Sequence, residues 1–174
     1  MKKLFMLAIV AFVSIAASAQ DFYLAGKASL WRNDDLDFTS FQIAPEFGVN
    51  LDENWAIGGE LVYNHAKGNE GKVNSFAIAP YARYTYYNNG NLSLFFEGGF
   101  GYSSSKIDGA DKSTDGWQIG IKPGVALSLN DNFSILAKVG FIGYNDDYMY
   151  QKELNGFGVD LNGTNLSFGI VYKF

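Results

Sequence analysis

Along residues 40 to 51 apolar and polar side chains alternate. Phe41, Ile43, Pro45, Phe47, Val49 and Leu51 share one parity, and Gln42, Ala44, Glu46, Gly48 and Asn50 share the other. The phrase "SFQIAP" at 40 to 45 returns as "SFAIAP" at 75 to 80, and a looser copy, "QIGIKP", ends at Pro123. A period of two sends successive side chains to opposite faces of a strand. No stretch beyond residue 20 carries apolar residues at i, i+3, i+4 and i+7 over three turns, so this part of the chain is predicted to be all β. The alternation marks eight strands: Phe22–Arg32, Thr39–Leu51, Trp55–His65, Asn74–Tyr87, Leu92–Ser103, Gly116–Leu129, Phe133–Tyr144 and Thr164–Phe174.

The connections alternate in length. Residues 52 to 54, 88 to 91 ("NNGN") and 130 to 132 ("NDN") are tight turns of residues that tolerate positive φ. Longer polar loops lie between them at 33 to 38, 66 to 73, 104 to 115 and 145 to 163. Short turns at one end and long loops at the other suit an up-and-down antiparallel barrel whose ends face different compartments. On every strand one face is bulky and apolar while the other is small or polar. In a soluble sandwich or lipocalin-like barrel the apolar face would point inward. A closed barrel of eight strands has an interior just wide enough for its own side chains, too narrow for so many Phe, Tyr, Trp, Leu and Ile residues. Inverting the barrel accommodates both faces, with large apolar residues meeting lipid and small or polar ones filling the lumen. The predicted fold is therefore an eight-stranded antiparallel up-and-down transmembrane β-barrel.

Composition sharpens the address. Residues 1 to 19 place Lys2 and Lys3 before an apolar run from Leu4 to Val13 and end in Ala17-Ser18-Ala19, the layout of a secretory signal peptide. That run is shorter than the roughly 20 residues of a membrane-spanning helix. Residues 20 to 174 are expected to form one barrel domain. Setting aside Lys2 and Lys3 leaves 11 basic residues against 18 acidic ones, a net −7 that argues against a nucleic-acid partner. There is no cysteine in the sequence, which removes disulfide staples, thiol catalysis and thiolate metal sites. Charged residues are 18% and aromatic residues 17% of the chain, a balance too greasy for an ordinary secreted soluble domain.

Parity sends the charges Lys27, Glu46, Glu60, Arg83, Glu97, Lys122 and Lys138 into the lumen, with Lys173 at its lower mouth. Counting from the short turns, Glu46 lies opposite Glu60 and Arg83 opposite Glu97. Facing carboxylates in a narrow lumen demand cations, so these groups are expected to form a neutralising network. The apolar residues Trp31, Phe95, Leu136, Ile142 and Tyr144 also point inward by parity. Aromatic girdles are expected at Trp55, Tyr84, Tyr86, Phe133, Tyr172 and Phe174 on the short-turn end, and at Phe41, Tyr63, Tyr102, Trp117 and Phe141 on the long-loop end. Pro45, Pro80 and Pro123 each remove a ladder donor in a sheet without edges, and are expected to mark bulges or a shared bend.

With its signal-like start, its eight alternating strands and the ending "LSFGIVYKF", the chain resembles the small outer-membrane β-barrel family that includes OmpX-like and OmpW-like proteins and the OmpA transmembrane domain. The resemblance implies residence in the outer membrane of a diderm bacterium, among its lipid and lipopolysaccharide. It also implies that Phe168, Ile170, Tyr172 and Phe174 form the signal read by the outer-membrane insertion machinery during biogenesis. Members include structural or adhesive surface proteins, conduits for small apolar molecules and lipid A-modifying enzymes.

Among those activities the residues favour a non-enzymatic protein. His65 is the sole histidine, and its context "NHAKG" lacks the serine two residues on that the deacylase members carry. No Ser/His/Asp set, phosphate loop or histidine metal cluster is in the sequence, and no cofactor is expected. The acidic loop "NDDLD", with Asp34, Asp35 and Asp37, lacks the spacing and glycine of an EF-hand loop. Glu70, Asp108, Asp111, Asp115, Asp146, Asp147, Glu153 and Asp160 add acidity to the other loops. The longest loop mixes such charges with Tyr148, Met149, Tyr150 and Phe157, making it the candidate element for contacting a surface protein or ligand. The expected role is envelope structure or surface interaction by a barrel with a plugged lumen. The alternative is a narrow porin-like conduit for small hydrophobic molecules, which requires an apolar upper lumen with a lateral opening.

Overall fold

The computed structural model describes residues 21–33, 38–68, 71–109, 112–150, 155–161 and 167–174. The expected signal peptide, the "NDDLD" acids, Glu70, Asp111, Glu153 and the side chain of Trp31 lie outside the described residues. Ten strand segments run in chain order: β1 Asp21–Asn33, β2 Phe38–Asn50, β3 Trp55–Gly68, β4 Gly71–Asn89, β5 Leu92–Ile107, β6 Thr114–Ser128, β7 Phe133–Lys138, β8 Phe141–Asp146, β9 Gly156–Asp160 and β10 Ser167–Lys173. All pairings between them are antiparallel, each of β1 to β6 lies beside its sequence neighbours, and β10 returns to β1. The sheet closes as an eight-stranded barrel in which β7 with β8, and β9 with β10, each serve as one interrupted strand.

Two of the short turns are built alike. The Asp52 carboxylate accepts from the amides of Asn54 and Trp55, both at 2.8 Å, and the Asn130 side-chain oxygen accepts from those of Asn132 and Phe133 at 3.0 and 2.8 Å. Asn54 and Asn132 then donate their side-chain amides to the carbonyls of Thr85 and Lys173, tying each turn to the next strand. The third turn uses Gly90 at φ 59°. At the opposite end the strands run further than the sequence pattern suggested. β3 and β4 pair as far as Gly68 and Gly71, and β5 and β6 reach Ile107 and Thr114.

Closure is staggered. Following inward-facing Cα partners from Ser93 of β5 through Ala126, Leu136, Gly169, Lys27, Ala44, Val62 and Ala77 returns to β5 at Ser103, ten residues along. The path runs one step past Gly26–Ile170 in the same register between β10 and β1, and keeps a single register across the unpaired Ala44 between β2 and β3. Such shear tilts the strands and brings together side chains whose distances from their own turns differ.

The outer face carries the bulky apolar set, with Leu30, Phe76, Ile119, Ile170 and Phe168 all well exposed, as a lipid-facing surface requires. Aromatic pairs gather at both ends of the strands. Trp55 packs on Tyr84 at 4.8 Å between ring centroids and Phe133 on Tyr172 at 5.0 Å near the short turns, while Trp117 stacks on Tyr144 at 5.1 Å near the long loops.

The prolines break the ladder without bulging their own strands. Pro45 keeps its place opposite Gly26, Pro80 opposite Gly59 and Pro123 opposite Phe96. On the other edge the paired residues lapse at Pro45 and Pro80, but the same register resumes beyond each. Bulges at those two sites are therefore excluded, because a lost donor interrupts pairing without adding a residue. One register shift, between Thr85 and Tyr87 on β4, lies away from the prolines. Of the three prolines, Pro123 alone lies beside a register shift, and the extra residue belongs to the partner strand, between β7 and β8.

That shift overturns part of the predicted seventh strand. Gly140 adopts φ 71°, and the residues after it change parity. Phe141 turns into the lumen, while Ile142 and Tyr144 are 37% and 40% exposed on the outer face. Ile142 and Tyr144 therefore do not line the interior, and Tyr144 takes the girdle place expected for Phe141. The long loop contributes one further strand, β9, which pairs with β8 and was not legible as a separate element.

Candidate functional site

The lumen is organised around a belt of ion pairs. Glu46 of β2 accepts from Arg83 of β4 and Lys138 of β7, each at 2.9 Å. Glu97 of β5 accepts from the same two cations at 2.5 and 2.7 Å. Lys27 of β1 holds Glu60 of β3 at 2.6 Å, with Lys138 3.8 Å from the same carboxylate oxygen. The expected oppositions are seen in the register, with Glu46 facing Glu60 and Arg83 facing Glu97. Shear then brings in Lys138, whose nearest neighbours along the ladder lie on β6 and β10. In a medium of low polarity these charges are tolerated only because each meets an opposite one with hydrogen-bond geometry.

Aromatic rings complete the belt. The Tyr81 hydroxyl donates to Glu46, and the hydroxyls of Tyr23 and Tyr81 lie 2.6 Å apart. The Arg83 guanidinium sits 4.6 Å from the centroid of the Phe95 ring and 5.2 Å from that of Tyr23. Tyr23, Phe95 and Leu136 are each at most 2% exposed and pack with Ala56 and Val171. Glycine makes room for them. A Cβ on Gly48 would collide with the Tyr23 ring, and one on Gly124 with the Phe95 ring. Tyr23 and Tyr81 were not singled out from the sequence. Their lumenal parity was available, and Tyr81 stands two residues from Arg83 on one face.

Lys122 departs from the expected network. It is the Cα partner of Glu97, but among the described residues it makes no ion pair. Its ammonium lies 6.0 Å from the centroid of the Phe141 ring.

The candidate recognition residues are not gathered on one surface. Residues Asp147 to Tyr150 form one tight turn closed by the Tyr150 amide on the Asp147 carbonyl at 3.0 Å, and Asp147, Met149 and Tyr150 all have positive φ, an uncommon backbone for residues with side chains. The turn folds into the barrel mouth. Tyr148 is 8% exposed against Ala44, Val62 and Ala77, Met149 packs beside it, and the Met149 amide donates to the Ser103 hydroxyl at 2.8 Å. Tyr148 and Met149 are thus interior residues, a correction traceable to the side chains of Asn145 and Asn155. Asn145 accepts from the Tyr148 amide, and Asn155 brackets Asp147 through its backbone amide and its carboxylate. Phe157 stands on β9 opposite Tyr144, itself opposite Ile119, and is 79% exposed as an extension of the outer apolar face.

Phe168, Ile170 and Phe174 are exposed on the outer face, and Tyr172 packs between Phe133 and Phe174. The His65 ring nitrogen Nδ1 lies 2.7 Å from the Asn74 side-chain oxygen, its partner across β3 and β4.

Comparison with known proteins agrees with the barrel fold. The chain is similar in fold to the N-terminal β-barrel domain of OprF from Pseudomonas aeruginosa, at 14% identity and a TM-score of 0.51, covering 90% of this chain and 98% of that one. The outer membrane protein OprG of the same organism aligns at 14% identity and a TM-score of 0.51, over 90% of this chain and 96% of that one. Neisserial surface protein A gives 13% identity and a TM-score of 0.52, over 88% and 96%. Such identities speak to the fold alone. No curated protein matches the sequence. The outer membrane protein beta-barrel domain matches residues 5–174, nearly the whole chain, and the protein therefore belongs to that family of bacterial outer-membrane barrels.

Proposed function

We propose that the protein is a non-enzymatic component of the outer-membrane envelope, a barrel closed by its own side chains that serves envelope structure or surface interaction. Residues 1 to 19 act as its export signal, and Phe168, Ile170, Tyr172 and Phe174 present the signal for the insertion machinery. Lipid and lipopolysaccharide surround its apolar belt.

The observation that supports this reading is the cross-lumen tie of Glu46 and Glu97 to Arg83 and Lys138, with Tyr23, Tyr81 and Phe95 packed against it. Side chains joined across an eight-stranded barrel leave little width for a water-filled path. A conduit for hydrophobic molecules needs an apolar upper lumen, whereas Gln118, Lys122 and Asn145, above the Lys27–Glu60 pair, interrupt the apolar lining of Val62, Phe141, Tyr148 and Met149. Surface contacts would then fall to the hairpin ends and the exposed edge of β9. Single-channel recording of the refolded protein in planar bilayers tests the closed lumen. Silence is the expected result, and steady, reproducible openings would overturn it.

A further inference from the structure

Above the belt the lumen widens into a cavity of about 680 Å³, within the usual range for small-molecule sites. Its walls carry Lys27, Lys122 and Lys138 together with Glu60 and Asp160. Two of the three ammonium groups are committed. Lys27 is bonded to Glu60 at 2.6 Å, and Lys138 to Glu97 at 2.7 Å. Lys122 is not. Both oxygens of Glu97, the carboxylate opposite it on β5, are turned to Arg83 and Lys138. Among the described residues no carboxylate oxygen comes within 4.0 Å of the Lys122 ammonium.

An ammonium held in a narrow interior without an ion-pair partner in contact is stabilised by an anion that reaches it. The same walls supply the side-chain amides of Gln42, Asn64 and Gln118, and N–H donors beside a cation match the two oxygens of a carboxylate. Phe141 and Met149 add apolar surface that suits a short organic body. We propose that this cavity binds a small, singly charged organic carboxylate, with Lys122 as its counter-ion. The inference goes beyond the closed-lumen reading, since it concerns the space above the belt and requires no passage through it.

The test is a titration of the isotopically labelled, refolded protein in non-ionic detergent micelles, followed by amide NMR at constant ionic strength. Sodium acetate and sodium benzoate are the probes, with sodium chloride and phosphate as comparisons. Saturable shifts confined to residues around Lys122, Gln118 and Phe141 are expected for the carboxylates. Lys122→Gln should weaken the response about tenfold or more, and Lys122→Arg should retain it. Neither substitution breaks an ion pair, and heat-modifiable gel migration checks that both variants fold. Equal responses to chloride, a preference for phosphate, or unchanged carboxylate binding in a folded Lys122→Gln barrel would each overturn the proposal.

Discussion

Glu46 and Lys138, 92 residues apart in the chain, meet at 2.9 Å inside the barrel. Lys138 also holds Glu97, while Arg83 completes a four-membered ring of alternating charges. Removing one member leaves its partners charged and dry. Arg83→Ala should therefore lower the unfolding free energy by about 3 to 5 kcal/mol, read as a shift in the urea midpoint of the lipid-refolded protein. An unchanged midpoint would mean that water enters the belt and screens its charges.

Because the ring acts as a unit, losses within it should not add. Glu46→Gln and Lys138→Met are each expected to destabilise, whereas the double variant should cost less than the sum of the two by at least about 1 kcal/mol. Simple additivity in a double-mutant cycle would count against direct coupling.

Packing around the belt makes a separate prediction. The Phe95 ring lies where a side chain on Gly124 would stand, so Gly124→Ala should cost about 1 to 3 kcal/mol through overpacking. Gly98, with open space around its position on the outer face, supplies the control. Gly98→Ala should stay within about 0.5 kcal/mol of the parent in the same unfolding assay.

These groups differ in how far the sequence discloses them. The opposition of Glu46 to Glu60 can be counted from residues 52 to 54, because a short turn fixes the register of the strands it joins. That of Arg83 to Glu97 matches a count centred on Gly90 only because the register shifts by one residue between Thr85 and Tyr87, above the Asn89–Leu92 pairing of the turn. The meeting of Lys138 with Glu46 cannot be counted that way. It depends on shear accumulated around the whole barrel, a property of closure that no single hairpin encodes. The lack of a direct ion pair at Lys122 has the same origin, since pairing along the ladder places it beside Glu97 while the geometry of the lumen turns both Glu97 oxygens to Arg83 and Lys138. The inward fold of Tyr148 escaped because loop composition does not reveal the Asn145 and Asn155 contacts that turn it. The parity change at Gly140 left a weak trace in "VGFIGY", where two bulky residues, Phe141 and Ile142, stand side by side and cannot both face lipid.

Gly140 should tolerate no side chain. At φ 71° a Cβ is already strained, and it would lie 2.5 Å from the Asp160 carbonyl oxygen and 2.7 Å from a Leu161 methyl carbon. Gly140→Ala is expected to destabilise by more than about 1 kcal/mol, with the largest loss of hydrogen-exchange protection in β8 and β9. Uniform loss across the barrel would mean that the bulge is not a local device.

The facing of the residues after Gly140 can be tested directly, because the native sequence has no cysteine to compete with a single reporter. Ile142→Cys and Tyr144→Cys, labelled with a small fluorophore and refolded into brominated lipid, should be quenched as strongly as the established outer position Ile119→Cys. Phe141→Cys should escape quenching, because its side chain faces the Lys122 cavity and lipid cannot reach it. The contrast follows from the added residue between β7 and β8, which moves every later side chain in that strand to the opposite face. Quenching of Phe141→Cys with sparing of Ile142→Cys would instead show unbroken alternation from Phe133 to Tyr144. In that arrangement the apolar residues Ile142 and Tyr144 would occupy the upper lumen, and the hydrophobic-conduit reading would regain its main structural requirement.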